Sequence, residues 1–155
     1  MQNNFLKNKK IILSAGASGI GLATVKLLLS QGAFVYTCDI DKKNINKLKK
    51  NSYFNKKLFI SECDASKEDE VKKFYKEVSN KTKKIDGLIN NIGIAGPTSP
   101  LEKIKSEDWE KTLQVNVNSH FYFTKYAIPM IKKSKHGSII NICLLYTSDA
   151  ADDGL

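Results

Sequence analysis

A glycine-rich stretch, SAGASGIG at residues 14–21, joins an apolar segment to a segment with helical spacing. Glycines in such a turn let the backbone come close to a phosphate, and the N-terminus of the following helix offers unpaired N–H groups to an anion. Asp39 comes 18 residues after Gly21, at the end of the next apolar segment. A carboxylate at that place suits the hydroxyl groups of a ribose and repels a 2′-phosphate. Together these features predict a dinucleotide site that prefers NAD to NADP.

Further polar residues stand where the chain leaves an apolar segment or runs through a helical one. Asp64 follows KLFISEC, Asn91 follows DGLIN, and Asn116 lies within a long helical pattern. Taken singly these signals are weak, because Asp64 can be an acid at the start of a helix and Asn116 an exposed polar residue. No Gly-Lys-Ser/Thr follows the glycine-rich turn, which argues against a P-loop nucleotide triphosphatase.

The hydrophobic pattern predicts the elements that position these residues. Apolar runs predict strands, and runs with helical spacing predict helices between them. This alternation is typical of a parallel sheet with helices on both faces. The sequence therefore predicts an α/β fold, a Rossmann-type doubly wound parallel sheet that ends after its fifth strand, in one domain at 1–142. The predicted strands are 10–16, 33–39, 57–64, 85–91 and 137–142, and the helices are 19–32, 41–51, 67–80 and 106–133.

Three local details follow from residue type. Gly32 is expected to end the first helix. Ser66 with Asp69 resembles a capping box that opens the third helix. The fourth helix is expected to be long, with Glu107 and Asp108 favourably placed in its first turn.

The composition restricts the classes of function. All 25 basic residues are lysine, and the formal net charge is +9. The lysines are scattered over every predicted helix and no nucleic-acid-binding motif accompanies them, so we expect no nucleic-acid partner. The first residues lack the apolar core and cleavage site of a signal peptide, and the sequence has no apolar run of about 18 residues, so we expect a cytoplasmic protein without a membrane partner. Three cysteines and two histidines lack metal-ligand spacing, and no metal site is predicted.

Together these motifs resemble the short-chain dehydrogenase/reductase (SDR) family, as an N-terminal fragment over residues 9–142. The family's first turn reads T-G-x-x-x-G-x-G, and here Ala15 stands in place of the first glycine. The family's N-N-A-G after the fourth strand appears as NNIG, with Ile92 in place of alanine, and Asp64 matches the aspartate that holds the adenine ring. The resemblance implies that the residues contacting the cofactor are Ser14, Gly16, Ser18, Gly19, Ile20, Gly21, Asp39, Asp64, Ala65, Asn91, Ile92 and Gly93.

The resemblance also implies a reaction, the transfer of a hydride between NAD(H) and a carbonyl or secondary alcohol. Asn116 matches the family's asparagine that holds a water for proton relay, and it is the one catalytic residue expected in this chain. The implied partners are a small-molecule alcohol or ketone and further copies of the chain, because the family's long helix normally packs in a dimer or tetramer. A dinucleotide-binding sensor or regulator without catalysis is the alternative on the same fold.

The end of the chain, CLLYTSDAADDGL, differs in character from the rest. Lysine, asparagine and isoleucine are frequent up to Ile142 and absent after it. Where the family has two serines and later Tyr-x-x-x-Lys, the chain has Cys143 in the first place, and Tyr146 comes too early with no lysine four positions later. Residues 143–153 resemble the translation of a sequencing adapter. We therefore expect a non-native tail at 143–155, a native gene that continues past Ile142 with a different sequence, and no catalytic activity in the 155-residue polypeptide.

Overall fold

The computed structural model describes residues 5–50 and 56–142, so the tail at 143–155 lies outside the described residues. Strands and helices alternate as predicted, which confirms the α/β fold class. Within the described ranges no helix is long and apolar enough to span a membrane. The strands are β1 (Lys10–Ser14), β2 (Phe34–Asp39), β3 (Leu58–Glu62), β4 (Gly87–Asn90) and β5 (Ser138–Asn141). The helices are α1 (Gly19–Ser30), α2 (Lys42–Lys49), α3 (Glu68–Ser79), α4 (Ser106–Leu113) and α5 (Ser119–Ile131).

The sheet is parallel throughout, in the order β3-β2-β1-β4-β5. Ile12 of β1 lies beside Tyr36 of β2 on one side and beside Leu88 of β4 on the other. The chain therefore builds outward from β1 to β3 and then crosses to β4, and the strand order reverses between β1 and β4. Such a reversal opens a crevice at the carboxyl ends of the strands, where α/β sheets bind ligands. The predicted Rossmann-type doubly wound sheet is confirmed.

Helices pack on both faces of the central strand β1, because successive residues of a strand point to opposite sides. Ile11 belongs to an apolar cluster with Val25 of α1 on one face. Its neighbour Ile12 belongs to the cluster on the other face, with Phe74 of α3 and Phe123 of α5. These two apolar layers hold the sheet between helices and make its carboxyl edge a rigid support.

The predicted long helix over 106–133 contains a π-helical turn that the hydrophobic spacing did not indicate. α4 passes into a π-helical turn at Gln114–Asn118, and α5 then runs from Ser119 to Ile131. Single π turns within helices are rare and occur frequently at functional sites. Apolar residues recur at helical intervals on both sides of the turn, so hydrophobic spacing could not reveal it.

The expected capping box of Ser66 and Asp69 is wrong. Ser66 Oγ donates to Oδ1 of Asp64 at 2.7 Å, and α3 begins after Lys67 without a side-chain cap. The N-cap position is taken by Lys67, so Ser66 stands one residue too early to cap the helix, and its hydroxyl donates to the charged Asp64 carboxylate instead. Glu70 Oε2 accepts from the N–H of Asp64 at 2.7 Å and completes the support of this segment.

Two other local expectations are confirmed. Gly32 follows the end of α1 with a φ of 87°, in the left-handed region that favours glycine. Glu107 and Asp108 lie in the first turn of α4, where negative charge stabilises the helix N-terminus.

Candidate dinucleotide-binding site

The residues expected to bind a cofactor come together at the carboxyl edge of the sheet. The glycine-rich turn leaves β1, Asp39 ends β2, and Asp64 follows the end of β3. Asn91 and Gly93 come after β4, on the far side of the reversal in strand order. Since the carboxyl ends of parallel strands meet at one edge, residues distant in sequence line a single crevice.

The start of α1 is open to solvent and carries no negative charge. Ser18, Gly19 and Ile20 are exposed, and no acidic side chain lies in the first turn of the helix. The Ser18 side chain makes no capping hydrogen bond. Free N–H groups at a helix N-terminus attract an anion. This arrangement fits the pyrophosphate of a dinucleotide.

Two positions of the turn require glycine, because a side chain there would have no room. A Cβ on Gly16 would lie 2.1 Å from Oγ1 of Thr37, and a Cβ on Gly21 would lie 1.9 Å from the carbonyl oxygen of Ala15. Thr37 also donates its hydroxyl to the carbonyl of Leu13 at 2.6 Å, so it fixes the surface on which the turn rests. Sequence analysis did not single out Thr37, since threonine is common in strands.

Ala15 adopts a backbone conformation that favours glycine. Its φ is 56°. For a residue with a Cβ, the left-handed region costs about 1–2 kcal/mol. The family has glycine at this position, so the alanine makes the turn strained where the chain departs from the family pattern.

The Asp39 carboxylate holds the glycine-rich turn against the end of β2. Oδ2 accepts from the N–H of Ala17 at 2.9 Å, and Oδ1 accepts from the N–H of Asp41 at 3.1 Å. Each carboxylate oxygen can accept a further hydrogen bond, and the residue keeps 8% of its surface exposed. The expected contact with ribose hydroxyls is therefore compatible with the bonds to the backbone. Sequence analysis missed Ala17, because its N–H reaches the Asp39 carboxylate only once the turn has folded.

Ser14 and Asn91 join the carboxyl ends of β1 and β4. Ser14 Oγ accepts from the N–H of Asn91 at 2.9 Å. The Asn91 amide group donates to the carbonyls of Ala15 at 3.0 Å and Ser14 at 3.3 Å. Ser14 is fully buried, so its hydroxyl supports the crevice from beneath.

Asp64 is half-buried at the beginning of the segment that leads to α3, with Ala65 buried beside it. Its Oδ1 accepts from the hydroxyl and the N–H of Ser66 at 2.7 and 3.1 Å, and its Oδ2 lies 3.3 Å from the ammonium of Lys67. Burial by itself raises the pKa of Asp64, but these partners outweigh burial and hold the pKa below its ordinary value. Asp64 is therefore a carboxylate at neutral pH, able to accept a hydrogen bond from a ligand.

Asn116 lies in the π turn and holds the segment that follows β4. Its Oδ1 accepts from the N–H of Ile94 at 2.8 Å, and its Nδ2 donates to the Ile94 carbonyl at 2.9 Å. A Cβ on the neighbouring Gly93 would lie 3.6 Å from Oδ1 of Asn116. An amide group has a second donor and a second acceptor position, so these bonds leave room for a further contact.

Two residues near Asn116 contact the same edge, and sequence analysis missed both. Gln114 Nε2 donates to the carbonyl of Ser66 at 2.6 Å. His120, in the first turn of α5, has Nε2 at 2.8 Å from the carbonyl oxygen of Ile92. The Ile92 side chain is half-buried and packs against the core cluster on the α5 face. The partners lie 48 and 28 residues away along the chain, so no local signal pointed to either residue.

Cys38 and Cys63 are free, buried thiols beside this edge. A hydrogen bond with Cys63 and burial together raise the pKa of Cys38 well above its ordinary value. A thiol held neutral is a poor nucleophile. In the described part of the chain no three His, Cys, Asp or Glu side chains cluster to hold a metal ion.

The strand order, the glycine-rich turn and the carboxylate at the end of β2 define a Rossmann-type dinucleotide-binding domain. A family model described as short chain dehydrogenase matches residues 9–152. The chain therefore belongs to the short-chain dehydrogenase family. The match extends past Ile142 into the terminal segment, whose non-native origin stays a prediction.

Relatives of the chain act on different compounds, judged by their names. The chain is 33% identical over 138 residues to a 3-oxoacyl-[acyl-carrier-protein] reductase of Thermotoga maritima, a match that covers 88% of this chain and 56% of the relative. It is 34% identical over 137 residues to a 2,5-dichloro-2,5-cyclohexadiene-1,4-diol dehydrogenase of Sphingobium indicum, with 88% and 54% covered. The chain thus spans about half the length of these relatives.

A solved structure supports the fold. A short chain dehydrogenase of Escherichia coli CFT073, complexed with NADPH, superposes with a TM-score of 0.83 at 20% sequence identity, covering 91% of this chain and 60% of that one. At this identity the likeness shows the fold alone.

Proposed function

We propose that this chain is the cofactor-binding part of an oxidoreductase that transfers a hydride between NAD(H) and a carbonyl or secondary alcohol. The observation that carries the proposal is the Asp39 carboxylate beside the open N-terminus of α1. The α1 N–H groups would hold the pyrophosphate, Asp39 the adenosine ribose and Asp64 the adenine ring. When bound, the nicotinamide supplies or accepts the hydride, and the protein contributes position and charge.

We favour NAD over NADP because of how Asp39 is held. Its bonds to Ala17 and Asp41 keep the carboxylate in place, so it cannot turn away from a 2′-phosphate. Residues 14–21 contain no lysine that would neutralise such a phosphate. The related fold complexed with NADPH makes NADP the competing assignment.

Fluorescence titration with the two reduced cofactors tests this preference. We expect NADH to bind at least about tenfold more tightly than NADPH, since a buried like-charge contact costs more than about 1.4 kcal/mol. Equal affinities, or tighter binding of NADPH, would contradict the assignment of Asp39.

The proposed substrate class rests on the relatives' names. One relative is a reductase of 3-oxoacyl groups and another is a dehydrogenase of a cyclic diol. A carbonyl and a hydroxyl group are the two sides of one hydride transfer, so we propose an alcohol or ketone substrate without choosing a particular one.

Asn116 is proposed to orient a water for proton relay. Its amide keeps one donor and one acceptor position beyond the two bonds to Ile94. No Tyr-x-x-x-Lys follows Ile142 in this sequence, so we propose that the 155-residue polypeptide binds the cofactor without turnover. Steady NADH formation from a panel of alcohols by the purified polypeptide would contradict this.

A dinucleotide-binding sensor without catalysis is the second candidate, and the missing Tyr-x-x-x-Lys after Ile142 favours it if the tail is native. Resequencing the gene beyond the Ile142 codon separates the two candidates. A serine followed by Tyr-x-x-x-Lys supports the enzyme, whereas a confirmed stop codon after Leu155 supports the sensor and refutes the proposed non-native tail.

A further inference from the structure

We infer that His120 is a positioning residue for the nicotinamide half of the cofactor site, acting through the carbonyl of Ile92. The inference rests on the function proposed above. His120 Nε2 lies 2.8 Å from the Ile92 carbonyl oxygen, and the histidine is half-buried at the start of α5. A carbonyl oxygen can only accept, so Nε2 must carry a hydrogen and donate it. The neutral and the charged imidazole can both make this bond.

The bond completes a clamp on the segment after β4. Asn116 makes two bonds to the backbone of Ile94, and His120 makes the third, to Ile92. Gly93 between them is exposed and contributes no side chain. Residues 91–98 form neither helix nor strand. Side chains of the π turn and α5 therefore determine the backbone path of Ile92 and Gly93.

The strand order places this segment at the nicotinamide half. Asp39 lies at the end of β2, on one side of β1, and would hold the adenosine ribose. A dinucleotide lies across the reversal in strand order, with its two nucleosides on opposite sides. The second nucleoside therefore falls on the β4 side, where Ile92 and Gly93 leave the sheet.

Two substitutions separate the hydrogen bond from the ring. Glutamine places its amide nitrogen three bonds from Cβ, as Nε2 of histidine is, so His120→Gln keeps a donor near the Ile92 carbonyl. Asparagine places its amide nitrogen two bonds from Cβ, so His120→Asn is polar but too short. The two variants have similar polarity, so a difference between them reports the loss of the hydrogen bond alone.

Isothermal titration with NADH and with ADP-ribose, which lacks the nicotinamide, measures where the bond acts. We expect His120→Asn to weaken NADH binding about fivefold, the usual net effect of one hydrogen bond, and to change ADP-ribose binding less than about twofold. We expect His120→Gln to restore NADH binding. Amide hydrogen exchange at Ile94 in the ligand-free protein should quicken in the Asn variant and stay slow in the Gln variant.

Other results overturn the inference. Equal loss of both ligands in His120→Asn would mean a general structural role, and no loss of either would mean no role. A Gln variant as weak as the Asn variant would exclude the proposed bond. If wild-type protein binds ADP-ribose and NADH equally, Ile92 cannot be assigned to the nicotinamide half. If wild-type protein binds neither ligand, the proposed function itself is contradicted, and the inference with it.

Discussion

Asp39 and Ala15 show how single residues set the shape of the cofactor turn. The Asp39 carboxylate binds the backbone of Ala17, and so fixes the turn before any ligand arrives. Ala15 accepts a left-handed φ of 56° so that Gly21 can pass close to its carbonyl oxygen. Residue type and local contacts together explain why this turn combines a strained alanine with glycines that have no room for a side chain.

Ala15→Gly should stabilise the protein. Glycine removes the left-handed penalty of about 1–2 kcal/mol. Its greater freedom in the unfolded chain offsets about 0.4–1 kcal/mol of this stabilisation. We expect the free energy of unfolding in urea to rise by about 0.5–1 kcal/mol. Ala23→Gly, on the exposed side of α1, is the matched control and should lose about 1 kcal/mol. Destabilisation by Ala15→Gly would disprove strain at this position.

Ser66→Ala should raise the pKa of Asp64 towards its ordinary value. The Ser66 hydroxyl donates to the Asp64 carboxylate at 2.7 Å and helps to keep that pKa low. NMR titration of the Asp64 carboxyl carbon measures the change, and Ser79→Ala, whose hydroxyl bonds to the carbonyl of Lys76, should leave it unaltered.

The sign of the linked stability effect follows from the lowered pKa. A carboxyl group whose pKa is lower in the folded state stabilises the protein above its unfolded pKa, and this contribution disappears as the pH falls through the folded value. The Ser66→Ala variant should therefore lose less stability than the wild type between neutral and acid pH. An equal acid-induced loss in both proteins would contradict the role of the hydroxyl.

At the scale of elements, the π turn decides how the long helix meets the site. It divides α4 from α5 and brings Gln114 to the carbonyl of Ser66 and Asn116 to Ile94. Below it, α3 and α5 pack together through Phe74, Tyr75 and Phe123, and the Tyr75 hydroxyl donates to the Phe123 carbonyl at 2.8 Å. The position of the π turn therefore depends on the contact between these two helices.

Phe74→Ala should be strongly destabilising. Phe74 is fully buried and contacts the rings of Phe59, Tyr75 and Phe123. We expect a loss of about 3–5 kcal/mol in the free energy of unfolding, from lost burial and the cavity that remains. Phe5→Ala is the control, since Phe5 is 78% exposed, and should change stability by less than about 0.5 kcal/mol. Similar losses in both variants would contradict the described core.

At the scale of the whole molecule, apolar side chains are exposed on two surfaces of the described residues. Trp109, Leu113, Val117 and Phe121 recur at every fourth position along α4, the π turn and α5, and all are exposed. The second surface is β5, whose isoleucines are exposed and whose outer edge pairs with no strand in the described residues. Apolar patches of this kind mark contacts with other chains or with further parts of the same protein.

We propose that the first surface joins copies of the chain in a dimer or tetramer. Phe121→Lys should shift the protein towards monomer, because a charge at the centre of an apolar contact is left without water or a partner. Sedimentation velocity measures the assembly state. Leu27→Lys, at an exposed position of α1, is the control and should leave the assembly state unchanged. A wild-type monomer at all concentrations, or a Phe121→Lys variant that assembles as well as the wild type, would refute this surface.

The sequence by itself determined the strand–helix alternation, the glycine-rich turn and the placement of Asp39 and Asp64 at strand ends. Those features depend on residue spacing along the chain, and spacing is local. The cross-links between β1 and β4, the π turn and the bond from His120 to Ile92 were decided only by the tertiary structure. Ser14 and Asn91 are 77 residues apart, and His120 and Ile92 are 28 apart. No periodicity encodes such pairs, because each bond forms only after packing has brought two separate elements into contact.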